Sequence, residues 1–399
     1  MEFTIKQNVL KEELGYIQGV VERKSTIPVL SNILIESLGE GSIRIVGTDL
    51  DVTIRCDAEA EIKTPGSICV QARKLFDIVR TLDGGDVHFK KDDNDWVKMK
   101  AGRANFRLAG VSREQYPEIP MFKSAPMTLP AEVLNYFIQS TAFAITNEQS
   151  RFTLSGAKFM LSGSTARMVT TDGHRLAFIE KEVGDTGDTS MDALIPKKAL
   201  LELVKISRDT GGDIQFGEDQ NHIYFETEGR LLITRKLSGN FPNYEMVMPK
   251  DNDKTVVFDL GEMRSAVRRV ALMADERNRS IRVTVREGEV EITAQSSEEG
   301  EGAEVVPAEY SGEEVTLGFN HQYLQEFLNN VGALEATGSE TDEAEAASDG
   351  SSAAAAPARD TKGSTRVSFE FKDSNAATQM RIAGDSAYDY KYIVMPLRI

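Results

Sequence analysis

Apolar residues along this chain follow two rhythms that take turns. Val9, Leu10, Leu14, Ile17 and Val21 fall at helical spacing and predict an amphipathic helix. Downstream, Ile33-Leu-Ile-Glu-Ser and Ile43-Arg-Ile-Val run apolar or alternate as strands do. Val97-Lys-Met-Lys-Ala keeps period two, the mark of a strand with one dry and one wet face. A second helix is predicted from Ala72 onward, then a Gly84-Gly85 hairpin and more strands; further helices are expected near 130–145 and 320–331. Helices that expose one apolar stripe need a sheet to cover it. The fold class is therefore α+β, with two helices packed on antiparallel sheet in two-layer domains.

The same order of elements comes back. Val70-Gln-Ala-Arg-Lys-Leu-Phe-Asp-Ile-Val-Arg reappears as Ile195-Pro-Lys-Lys-Ala-Leu-Leu-Glu-Leu-Val-Lys and, more faintly, as Phe319-Asn-His-Gln-Tyr-Leu-Gln-Glu-Phe-Leu-Asn, at offsets of about 125 residues. Thr48-Asp-Leu-Asp pairs with Thr171-Asp-Gly-His, Gly84-Gly-Asp-Val-His-Phe with Gly211-Gly-Asp-Ile-Gln-Phe, and Gly102-Arg with Gly229-Arg. Each copy closes on a related segment: Tyr116-Pro-Glu-Ile-Pro, Tyr244-Glu-Met-Val-Met-Pro and Tyr392-Ile-Val-Met-Pro. The third copy is overlong by residues 335–365, rich in Glu, Ala, Ser, Asp and Gly and without aromatics. Such a stretch buries too little apolar surface to offset its ordering entropy, so it is read as a disordered acidic insertion. The domains are then about 1–122, 127–249 and 250–399.

Composition narrows the function. The 399 residues carry a net charge of −17, so any nucleic-acid role needs basic residues gathered on one face. No apolar run is long enough to span a bilayer, and the N-terminus reads as a strand rather than a secretion signal, which predicts a cytoplasmic protein. Cys56 and Cys69 are too few for a disulfide framework, and His88, His174, His222 and His321 lack metal-ligand spacing, so neither a metal nor a cofactor is expected. Gly39-Glu-Gly-Ser-Ile-Arg fails the dinucleotide fingerprint, and Lys362-Gly-Ser-Thr lacks the spacing of a phosphate loop. One cluster could do acid–base chemistry: Asp172 and His174 in Thr171-Asp-Gly-His-Arg-Leu-Ala, the centre of an alternative hydrolase reading. The same residues also suit a strand-ending turn, with Gly173 supplying the backbone angles and Asp172 the local hydrogen bonds.

Taken together, Thr171-Asp-Gly-His-Arg-Leu-Ala, Phe241-Pro-Asn-Tyr with Val247-Met-Pro, Gly318-Phe-Asn and the terminal Tyr392-Ile-Val-Met-Pro-Leu-Arg-Ile resemble the β subunits of bacterial DNA polymerase III, the DNA sliding clamps. The likeness spans the chain outside 335–365. It implies a non-enzymatic processivity factor: three domains of one fold per chain, a homodimeric ring closed head to tail, helices lining the hole and sheets outside. The implied partners are encircled double-stranded DNA, the catalytic subunit of DNA polymerase III, a clamp loader, and other replication and repair proteins bearing clamp-binding peptides.

The resemblance also assigns residues. A partner-peptide groove would use Arg151, Leu154, Thr171, Gly173, His174, Arg175, Leu176, Pro242, Val247, Asn320, Tyr323, Ile393, Val394, Met395, Pro396, Leu397 and Arg398, with Arg175 fixing the peptide's orientation. Met246 stands where relatives often carry Arg, which favours an apolar contact there. The DNA-facing set is Arg23, Lys24, Arg73, Arg80, Gln149, Lys198, Lys205, Arg264 and Arg268, and the dimer contact set is Phe106, Leu272 and Met273. On the residues alone, Arg264 and Arg268 lie one turn apart, opposite the apolar stripe Met263, Val267, Val270 and Ala274, so that helix has separable basic and apolar faces.

Overall fold

The computed structural model describes residues 1–22, 26–121, 127–148, 150–184, 190–208, 211–298, 300–345, 364–385 and 387–398, with the backbone alone across 335–345. Among the described residues, six modules of strand, helix and three strands follow one another. The first is β1 (Glu2–Lys6), α1 (Gln7–Ile17), β2 (Asn32–Leu38), β3 (Ser42–Thr48) and β4 (Val52–Glu59), followed by a short β5 (Glu61–Thr64). The second is β6 (Ser67–Gln71), α2 (Ala72–Val79), β7 (Asp86–Lys91), β8 (Val97–Ala101) and β9 (Ala104–Leu108), with β10 (Gly110–Val111) trailing. The third is β11 (Met127–Pro130), α3 (Ala131–Thr141), β12 (Gly156–Ser162), β13 (Thr165–Thr171) and β14 (Arg175–Glu182). The fourth is β15 (Met191–Pro196), α4 (Lys197–Ser207), β16 (Asp213–Glu218), β17 (His222–Thr227) and β18 (Arg230–Arg235). The fifth is β19 (Lys254–Asp259), α5 (Leu260–Val270), β20 (Ser280–Arg286), β21 (Glu289–Ser296) and β22 (Gly300–Glu309). The sixth is β23 (Val315–Asn320), α6 (His321–Glu345), β24 (Arg366–Phe371), β25 (Thr378–Ile382) and β26 (Asp389–Val394).

The chain divides into two compact units: 1–135 with 195–236, and 136–194 with 237–399. The first holds a sheet ordered β5-β1-β7-β8-β9 and another ordered β10-β6-β2-β3-β4-β18-β17-β16-β11. The second is built on one sheet ordered β15-β12-β13-β14-β26-β25-β24-β19-β22-β21-β20-β23. Modules exchange their leading strands: β1 pairs with β7, whereas β6 pairs with β2. Sheets also run on from one sequence repeat into the next, β4 against β18 and β14 against β26. Helices cover these sheets with the stripe read from the sequence. In α1, Leu10, Leu14 and Ile17 are fully buried, each contributing roughly 1.5–3 kcal/mol of hydrophobic stabilisation. Pairing is antiparallel throughout the described ladders shown for both units, and the two-layer α+β class holds.

Three sequence expectations change. Gly84 and Gly85, at φ +98° and +85°, turn the chain from α2 into β7 and belong to no hairpin; the Gly85 carbonyl accepts from the Gln7 amide at 2.9 Å. The predicted first helix ends at Ile17, leaving Val21 outside it. The segment expected to be disordered from 335 instead begins as helix, since α6 continues to Glu345. Propagation explains it: once Phe327, Leu328 and Val331 anchor the first turns in the core, each added residue gains a backbone bond, and Ala and Glu are strong helix formers. The rest of that expectation, residues 346–363, lies outside the described residues.

Candidate functional site

The turn between β13 and β14 is the centre of the second unit's site. Thr171 Oγ1 donates to the Arg175 carbonyl at 2.6 Å and accepts from the Gly173 amide at 3.0 Å. One carboxylate oxygen of Asp172 accepts from the His174 and Arg175 amides at 2.9 and 3.1 Å. Closing this loop puts Gly173 at φ +89°, where a Cβ would also meet Arg151 Nη1 at 2.9 Å. Arg151 in turn donates to the Asp172 carbonyl at 2.5 Å.

Arg175 points inward. Its guanidinium reaches Asp172 at 3.0 Å, Glu326 of α6 at 2.6 Å, the Phe143 carbonyl at 2.9 Å and the Tyr392 hydroxyl at 3.5 Å, and it lies 4.6 Å from the Tyr323 ring centre. Burial works against the charge, but Tyr392 and Glu326 outweigh it and hold the Arg175 pKa above its ordinary value. Only 7% of the side chain is exposed, and its donors reach four segments of its own fold.

Strand register sets the terminal strand beside this turn. Arg175 lies opposite Val394 and Leu176 opposite Ile393. Leu176 and Ile393 join Val169, Phe178 and Tyr244 in a buried cluster flanked by Met160, Phe241, Met248 and Ala377. Beyond β26 the chain stays tied down: the Met395 amide donates to the His174 carbonyl at 3.1 Å and the Leu397 amide to the Gly318 carbonyl at 2.8 Å. Above this floor, apolar side chains stand in solvent. Met246 is 81% exposed, Val247 49% and Met395 46%. Pro242, His174 and Arg398 are exposed as well, and the His174 ring lies 6.4 Å from that of Tyr323. Leu154 is buried, and Asn320 caps the start of α6 by accepting from the Gln322 amide at 3.0 Å. Sequence reading missed Glu326, Phe143 and Tyr392 as parts of this site. Tyr392 was inside the terminal motif, and Glu326 sits one helical turn after Tyr323, so both had a signal.

The hydrolase alternative is not supported. Asp172 spends its oxygens on two backbone amides and Arg175, and the geometry is that of the strand-ending turn.

The basic helix residues are more engaged than their sequence suggests. Asp77 lies between Arg73 and Arg80, at 3.7 and 3.1 Å. Lys205 pairs with Glu202 at 2.7 Å. Lys198 bonds the Val20 carbonyl at 3.0 Å and Asp49 at 2.5 Å, which ties α4 to the turn after β3. Arg264 lies over Gly332 of α6, where a Cβ would meet its Nη1 at 2.2 Å, while Arg268 is exposed. Arg23, Lys24 and Gln149 lie outside the described residues.

Of the contact residues assigned to a second copy, Phe106 sits at a sheet edge, and Leu272 and Met273 lie in the short 3-10 helix Ala271–Met273 after α5. Phe106 of β9 continues the core row Phe3, Phe89, Met99 to the sheet's margin and is half-buried. Leu272 is 74% exposed, and Met273 lies against Gly302 of β22.

Comparison with known proteins gives one answer along the whole length. Family models described as the N-terminal, central and C-terminal domains of the DNA polymerase III beta subunit match residues 1–120, 128–243 and 245–339. A beta sliding clamp of Pseudomonas putida is 33% identical over 403 aligned positions, covering 100% of both chains. One from Caulobacter vibrioides is 33% identical over 84% of this chain and 92% of its own. The crystal structure of the DNA polymerase III subunit beta from Pseudomonas aeruginosa superposes with a TM-score of 0.87 at 30% identity, again covering 100% of each chain. With the turn, the terminal strand and three successive domains all in place, this chain belongs to the DNA polymerase III β-subunit family, the beta sliding clamps.

Proposed function

We propose that two copies of this chain close into a ring around double-stranded DNA and tether replication proteins to it. The observation that carries this reading is a pattern of strand edges. β4 meets β18 and β14 meets β26 in the same antiparallel way. Each junction joins the closing strands of two modules, and of the six closing strands that leaves β9, paired only with β8 among the described residues, and β22, whose Gly300–Pro307 stretch pairs only with β21. A third junction of the same kind, β9 of one copy against β22 of another, uses both edges, and two such junctions related by a two-fold axis close a ring of two copies. Charge favours it: residues 102–108 of the β9 edge carry Arg103 and Arg107 and no acid, whereas 289–309 carry seven glutamates and no base. Replacing Leu272 and Met273 by alanine is expected to leave a folded monomer in light scattering; an unchanged dimer would contradict the assignment.

Arg73, Arg80, Lys198, Lys205, Arg264 and Arg268 supply the basic side of the DNA-facing helices. Carboxylates beside several of them keep phosphate attraction weak, as sliding requires. Retention is topological and nonspecific. The groove over Leu176, Tyr244 and Ile393 takes short peptides of the polymerase, a clamp loader and repair proteins by their apolar anchors, and the exposed thioethers of Met246 and Met395 adapt to several of them. The proposed domains end near 122 and 249. No described helix is long and apolar enough to cross a membrane, and a cytoplasmic location follows from the replication role.

A further inference from the structure

The outer face of the sheet β5-β1-β7-β8-β9 breaks a rule of sheet stability. Its inner face is the apolar row of Phe3, Phe89 and Met99, so the alternate residues point to solvent. Register then sets Lys90 opposite Lys98, and Lys98 opposite Arg107. Like charges directly opposite on neighbouring strands destabilise a sheet. Here three stand in one row, about 4.8 Å apart from strand to strand, in a chain whose net charge is −17. In the adjoining row Lys100 sits opposite His88 and has no carboxylate partner among the described residues. The side chains border a shallow depression of about 670 Å³.

We propose that this face is a docking surface for an extended acidic segment of a partner polypeptide, separate from the apolar groove. Two carboxylates of the chain itself already show what fits. Glu2 bridges Lys63 and Lys90 at 2.6 and 3.3 Å, and Asp92 reaches Lys98 at 2.9 Å and Arg107 at 4.0 Å. These engage all three cations of the row and leave Lys100 to a ligand, while His88 Nδ1 lies 2.8 Å from Thr4 Oγ1. Residues two apart on a strand, such as Lys98 and Lys100, repeat at about 6.6–6.8 Å, the spacing of alternate side chains in an extended peptide, so Asp or Glu at every second position falls in register. A single-stranded nucleic acid suits the face less well. Its bases need a free aromatic platform, and the Trp96 ring is covered by the Arg107 guanidinium at 4.4 Å.

The test is fluorescence anisotropy with the full-length chain and a labelled peptide of alternating glutamate and alanine. Binding is expected at low salt, weakening as salt rises, and Lys98→Glu with Lys100→Glu is expected to reduce affinity by about tenfold or more. Lys98→Glu should also leave the melting temperature about unchanged, because the two repulsions it turns into attractions are set against the exposed Asp92 ion pair that it loses. Absence of binding, or affinity untouched by the double variant, would overturn the proposal. So would oligothymidylate of equal charge competing as strongly as the peptide, which would make the face a nucleic-acid surface. A melting temperature several degrees lower in Lys98→Glu would mark the row as structural and equally overturn it.

Discussion

Arg175 carries a full charge into the protein, and what it does there depends on neighbours that sequence spacing does not display. A turn motif with an arginine reads naturally as a ligand contact, because the partners Phe143, Glu326 and Tyr392 come from distant parts of the chain. Removing one member of a buried pair strands the other, so Arg175→Met is expected to cost about 3 kcal/mol in urea denaturation; a loss near zero would mean the network is ornamental. His321, at the start of α6, gives a second residue-scale test. Burial first, and the nearby Arg279 cation, hold its pKa below the ordinary 6.5, and its Nδ1 has no hydrogen-bond partner among the described residues. The folded state therefore resists protonation that the unfolded state accepts. Stability should fall as pH drops below 6.5 and level off once pH passes the lower folded value. His321→Gln should remove that step from a pH series of thermal melts, and an unchanged step would place its origin elsewhere.

At the scale of elements, helices and strands were legible wherever one face is apolar. Leu10, Leu14 and Ile17 mark α1, and Val97-Lys-Met-Lys-Ala marks β8, because burial imposes the period directly. The sixfold module was not legible, since exchange of β1 and β6 between sister sheets is a tertiary choice that leaves local patterns untouched. The helical start of the acidic segment was missed for a related reason: composition says what cannot pack but not where a helix nucleated elsewhere will stop. The terminal segment is paired as β26 through Val394, and beyond it the Met395 and Leu397 amides bond the His174 and Gly318 carbonyls. Deleting Met395 through Ile399 removes the bonds to His174 and Gly318 but leaves β26 paired with β14. The truncated chain should still assemble while losing affinity for polymerase-derived peptides by about a hundredfold in calorimetry; retained affinity would move the groove elsewhere.

For the whole molecule, three sequence repeats and two compact units describe the same chain cut differently, because sheets run across repeat boundaries at β4·β18 and β14·β26. A ring that holds DNA by enclosure rather than by affinity suits so acidic a protein, whose basic helix residues are partly matched by their own carboxylates. The most direct measurement loads the chain onto nicked circular duplex DNA with a clamp loader and ATP, washes at high salt, and follows bound protein by gel filtration before and after the circle is cut. Enclosure requires retention on the circle and release upon linearisation. Loss from circle and line alike in high salt, or retention on both, would contradict a topological clamp.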